Sequence, residues 1–158
     1  MNRSRFPQAL IVAALAGTVV AAASAPAAAT PPTDVEIVSP IDLTNGTGSF
    51  DVIADDGEVL CDEGAVVNLF SLFVGGQSGS QAQILVVHEF TCDDGSGSFL
   101  LSLRVKLDFI AGTTTASWSV LDGTGAYERL HGSGSLVGTL SCGLDCILDT
   151  YTGAMHIG

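Results

Sequence analysis

The side chain in this sequence best suited to acid–base chemistry is His88. It falls in the run Gln81–Thr91, where Ile84, Val86, His88 and Phe90 share one face of an extended segment. Gln83, Leu85, Val87 and Glu89 take the other face. A histidine titrates near neutral pH and can take or give a proton there. Glu89, its neighbour, points to the opposite side of a strand, so the two form no local acid–base pair. His88 is therefore read either as a pocket group or as a hydrogen-bonded core histidine. His131 and His156 fall in a loop and near the C-terminus, and three scattered histidines define no metal site.

Nucleophilic catalysis finds no motif. Gly95-Ser-Gly-Ser and Gly132-Ser-Gly-Ser are short turns rather than a Gly-x-Ser-x-Gly strand–turn–helix element. Cys61, Cys92, Cys142 and Cys146 would be oxidised outside a cell, and four cysteines allow three pairings. Cys61–Cys92 with Cys142–Cys146 is favoured, because Cys142-Gly-Leu-Asp-Cys146 can close a small loop. Zinc is the competing reading, but that spacing with no histidine close in sequence matches zinc sites poorly. The turns Asp55-Asp56-Gly57-Glu58 and Asp93-Asp94-Gly95 offer oxygen atoms to calcium. They lack the spaced ladder of a calcium loop, and Asp-Gly is ordinary hairpin chemistry. No metal or cofactor is expected.

The elements that would position these groups begin after an export segment. Arg3 and Arg5 precede an apolar run from Ala9 to Ala23, and Ala27-Ala28-Ala29 offers a small-residue cleavage site. Residues 1–29 are expected to be a cleaved signal peptide, 30–40 an extended linker with the first strand, and 41–158 the domain. The protein is thus expected to be secreted, with no membrane association once the segment is removed. The whole chain carries a net charge of −12, and loss of Arg3 and Arg5 makes the remainder more acidic still. Such a surface repels nucleic acid and anionic membranes.

Beyond Pro40 the chain has no proline but many glycines, which suits strands joined by tight turns. Period-two alternation and turn signals predict strands at Asp34–Val38, Gly48–Ala54, Ala65–Val74, Gln81–Thr91, Ser98–Phe109, Thr114–Leu121, Ser133–Ser141 and Ile147–His156. Glu58–Cys61 could add a short piece. No stretch has helical periodicity, so the strands must close on themselves or stack as a sandwich. In Ser98–Phe109, Phe99, Leu101, Leu103, Val105, Leu107 and Phe109 line one face, against Ser102, Arg104, Lys106 and Asp108 on the other. Two strands, Ala65–Val74 and Gln81–Thr91, are apolar on both faces and need outer cover. Self-association as a homo-oligomer would supply it, and so would the N-terminal segment.

Trp118, Gly123-Thr-Gly-Ala-Tyr127 and Leu130-His-Gly-Ser-Gly134 resemble the Gly-Thr-Gly-x-aromatic loop of the allene oxide cyclase and dirigent barrels. Small secreted bacterial proteins of that kind also carry a Tyr-Thr-Gly like Tyr151-Thr-Gly153. The specific part of the resemblance spans Thr114 to Gly153. It implies an all-β, antiparallel, closed barrel of eight strands, but no catalytic residue of those enzymes maps onto this chain. Read physically, Gly123 and Gly125 permit positive φ, and Tyr127 and Leu130 can fold over one barrel end. The expectation is a barrel that binds a small apolar molecule without catalysis, or has a structural role outside the cell. His88, Phe99, Leu103, Leu107 and Trp118 would line the interior, with Tyr127 near the mouth. An enzyme acting on a hydrophobic substrate, or a self-associating surface protein, are the alternatives.

Overall fold

The computed structural model describes residues 31–56, 58–75 and 79–158. The expected signal segment lies outside them. Eight strands follow one another: β1 (Thr33–Asp42), β2 (Thr47–Asp55), β3 (Glu63–Gly75), β4 (Gln81–Cys92), β5 (Ser98–Asp108), β6 (Thr113–Gly123), β7 (Leu130–Ser141) and β8 (Cys146–Ile157). Each pairs antiparallel with the next, and β1 pairs with β8 to close the barrel. The fold is therefore an all-β, closed, eight-stranded antiparallel barrel. Closure leaves no outer strand of the sheet without a neighbour, which the absence of covering helices requires.

The first strand runs on through Pro40 to Asp42, so the division expected at residue 40 falls inside a barrel strand. Proline has no N–H to give to a ladder. Pairing between β1 and β2 accordingly skips it, passing from Val38↔Asp51 to Ile41↔Gly48. On the β3–β4 side, the register shifts between Asn68 and Phe70, leaving Leu69 as an extra residue. Beyond this bulge Ser71 and Phe73 face inward, opposite Val86 and Ile84, while Phe70 and Leu72 face outward, opposite Val87 and Leu85. Leu69, Phe70, Leu72 and Val74 remain about half exposed. No helix among the described residues is long and apolar enough to cross a membrane.

The two ends of the barrel are built differently. Around the β2–β3, β4–β5 and β6–β7 turns, the interior is filled by rings. Phe90 stacks on Phe99 at 5.0 Å, and Phe50 and Tyr151 meet Phe90 edge-on at 5.2 and 5.5 Å. Tyr127, on a short 3-10 turn (Gly125–Tyr127), caps this cluster against Phe99 at 5.4 Å. Its hydroxyl lies 3.1 Å from Ser96 Oγ and donates toward Cys92 Sγ at 3.3 Å. Gly125 has the expected positive φ of 60°, but Gly123 does not. Gly123 is needed for space: a Cβ there would stand 2.2 Å from Tyr127 O. Further in, the Trp118 indole lies across the paired glycines Gly134 and Gly153 and donates from Nε1 to Ser135 O at 2.9 Å.

Both disulfides join the favoured partners, Cys61–Cys92 at the filled end and Cys142–Cys146 in the β7–β8 turn. The first ties residues 31 apart and anchors the β2–β3 connection, where β2 and β3 pair only over Thr47–Asp51. Loop-closure entropy gives a cross-link of that span about 3.7 kcal/mol, and the short one less. Cys61→Ser with Cys92→Ser is expected to lower the unfolding free energy by about 3.7 kcal/mol in urea titrations, clearly more than the Cys142/Cys146 double serine variant.

Candidate functional site

The other half of the barrel is not filled. It holds a cavity of about 250 Å³, with wall residues from every strand except β2. Its body is aliphatic: Ile84 and Val86 on β4, Leu103, Val105 and Leu107 on β5, Leu136 and Leu140 on β7. Polar side chains enter from Asn68 and Ser71 on β3, His88 on β4, Thr114 on β6 and Asp149 on β8. Two of its wall residues, Leu43 and Phe73, are about half exposed, so the cavity meets solvent beside them. An eight-stranded barrel is just wide enough to be filled by its own side chains or to hold one small ligand. This one does the first at one end and leaves room for the second at the other.

His88 stands on the floor between the two halves. It is buried, and its Nδ1 shares a 2.8 Å hydrogen bond with the hydroxyl of Tyr151. Burial disfavours the imidazolium and pushes the His88 pKa down to about 4, so the ring is neutral near neutral pH. Tyr151 is fully enclosed, and burial, followed by the charge of Asp149, raises its phenol well above the usual range.

Asp149 is the group that the sequence reading missed. On β8 it shares a face with Ile147, Tyr151 and Met155, all buried. Burial pushes its pKa up to about 7. Ser39 faces it in the β1–β8 register but gives its hydroxyl to Ser49 O at 2.7 Å instead. On the other side Gly138 stands between Asp149 and Thr114 in the ladder and offers no side chain. A Cβ built on Gly138 would stand 2.1 Å from Asp149 Oδ1 and 2.2 Å from Thr114 Oγ1. The two oxygens thus converge over the glycine, and both are buried without a hydrogen-bond partner. Leaving such groups unmet costs about 1–3 kcal/mol each. Burial is the cause of the shifts of both His88 and Asp149.

Of the residues expected from sequence to line the interior, the structure brings His88, Leu103 and Leu107 to the cavity. Phe99 and Trp118 are buried in the filled half and do not line it. Tyr127 lies at the opposite end from the opening, so it is a plug and not a mouth residue. The acidic turns serve local structure: Asp55 accepts from Leu60 N at 2.7 Å and Asp94 from Ser96 N at 2.8 Å. Among the described residues no three His, Cys, Asp or Glu side chains are gathered to hold a metal ion.

The fold and the site together define a closed antiparallel barrel with one packed end and one hollow end, the hollow end carrying a neutral histidine and an unpartnered carboxyl. Compared with known proteins, the chain matches no family model, no curated protein and no solved structure.

Proposed function

We propose that this is an exported barrel protein that binds one small, mainly apolar molecule in its hollow half. The observation that carries the reading is the 250 Å³ cavity with aliphatic walls and a few polar atoms at fixed places. An apolar cavity of about 150 Å³ takes up benzene, and drug-sized pockets begin near about 300 Å³. The ligand is then somewhat larger than a single ring. Export is supported by the basic, apolar and small-residue order of residues 1–29 and by the two disulfides. The resemblance to allene oxide cyclase and dirigent barrels belongs to the same proposal, supported by strand number and closure.

A second reading, an enzyme on a hydrophobic substrate, is favoured by one observation: His88 and Asp149 are ionisable and both line the cavity. Proton exchange with a bound molecule near neutral pH would suit the Asp149 carboxyl, which burial raises to about 7, with His88 as a neutral hydrogen-bonding group. Native mass spectrometry of protein from its own host separates the readings by showing unaltered ligand or a substrate–product pair. For the cavity itself, Val105→Phe places a ring in the empty space. Fluorobenzene, followed by ¹⁹F NMR, is expected to bind the wild type and to bind this variant at least about tenfold more weakly, with the thermal midpoint little changed. Equal binding by both proteins would remove the cavity from consideration.

A further inference from the structure

We infer that the wall of the cavity at Asp149 and Thr114 is a subsite for a protonated amine, so that the ligand is a small organic cation with an apolar body. This rests on the cavity-binding reading above and names the chemistry of its polar end. A carboxyl group enclosed by protein normally meets an arginine, a lysine or several N–H donors. Among the described residues, those lining the cavity include no lysine or arginine. Facing Asp149 are Ser39 on β1, already committed to Ser49 O, Thr114 on β6, Tyr151 on its own strand, and His88, Asn68 and Ser71 farther round the wall. Tyr151 and His88 are bonded to each other, and Asn68 bonds Ser71 and the Phe70 N–H. β5 and β7 present only aliphatic side chains and Gly138.

Two buried oxygens, Asp149 Oδ1 and Thr114 Oγ1, thus close over Gly138 with no protein donor to meet them, and the Asp149 and Thr114 side chains border the cavity. An ammonium group supplies several N–H donors and the compensating charge at once. A neutral hydroxyl supplies one donor and no charge. The rim points the same way. The turns at the hollow end carry Asp42, Asp108 and Asp145, and hydrogen bonds hold the first two carboxyls below their usual pKa, so they stay charged. In a chain of 17 acidic and 5 basic residues, such a mouth raises the local concentration of cations.

Benzylamine and benzyl alcohol have nearly the same shape and differ in charge, which makes them the probes. Calorimetric titration of the disulfide-bonded protein at about pH 8.5 is expected to give benzylamine at least about tenfold the affinity of benzyl alcohol. Binding the cation requires the ionised carboxyl, so the benzylamine affinity should fall at least about tenfold on lowering the pH to about 5.5, where His88 is still neutral and the amine still protonated. The alcohol should not follow that fall. Asp149→Asn is expected to abolish both the preference and the pH dependence while still binding benzyl alcohol, and Thr114→Val to reduce the preference several-fold. Benzyl alcohol binding as well as benzylamine at high pH would overturn the amine subsite and leave the apolar cavity standing. Binding of neither probe would overturn both.

Discussion

Asp149→Asn is expected to stabilise the protein by about 4 kcal/mol near pH 8 and to change it little near pH 4. The sign follows from the direction of the shift. Burial raises the folded-state pKa of Asp149 from 3.8 to about 7. Below the lower value the group is neutral in both states and adds no pH-dependent cost. Between the two values the unfolded chain gives up the proton and the folded chain keeps it, so stability falls as pH rises; above about 7 the full cost is in place. About three pH units at roughly 1.4 kcal/mol each give the magnitude. His88 acts in the opposite sense. Its folded pKa of about 4 lies below the usual 6.5, so the unfolded chain holds the extra proton in that window and stability rises with pH there, by about 3 kcal/mol.

Between about pH 4 and 6.5 the two slopes nearly cancel, and these groups leave the wild type almost flat. Each variant should then reveal the slope of the other group. Asp149→Asn should gain stability on going up through that range, and His88→Gln should lose it. Urea titrations of the three proteins at several pH values, compared as differences, remove the contribution of the exposed carboxylates common to all. Parallel curves for wild type and Asp149→Asn would mean that Asp149 is solvated in solution, and the buried carboxyl would have to be abandoned.

Much of this architecture could be read in the sequence because period-two alternation reports which side of a strand is buried. The β5 series Phe99, Leu101, Leu103 needed no register to be placed inside. The same rule reaches Asp149, which has the parity of Ile147, Tyr151 and Met155 on β8. A carboxylate on an otherwise buried face was the available signal, and sorting β8 by face would have found it. Three other features lie beyond alternation. The bulge at Leu69 carries no glycine or proline to mark it, so the facing of Ser71 and Phe73 depends on pairing with β4. Which end of the barrel is filled depends on how the strands are staggered, and stagger is a relation between strands rather than a property of any one. For that reason Tyr127, correctly expected to close an end, was expected beside the opening. Gly138 looked like any strand glycine until its neighbours in the ladder, Thr114 and Asp149, were known.

The division into a packed half and a hollow half makes unequal demands on two side chains that alternation alone would treat alike. Phe90 is fully enclosed, with Phe99 stacked on one side and Phe50 and Tyr151 edge-on around it. Phe90→Ala deletes a ring from a close-packed cluster and leaves a new void, which costs about 4–5 kcal/mol. Leu107 also faces inward but borders the existing cavity and is only partly buried. Its side chain lacks neighbours on the cavity side, so Leu107→Ala forfeits fewer contacts and should cost about 1–2 kcal/mol. Equilibrium unfolding in urea measures both. The ratio matters more than either value, because a protein that relaxed in solution to fill its hollow end would surround Leu107 with partners. The two truncations would then cost similar amounts, and there would be no room for a ligand. A cost for Phe90→Ala several-fold that for Leu107→Ala supports an empty volume beside Leu107, in the cavity that Asp149 also lines.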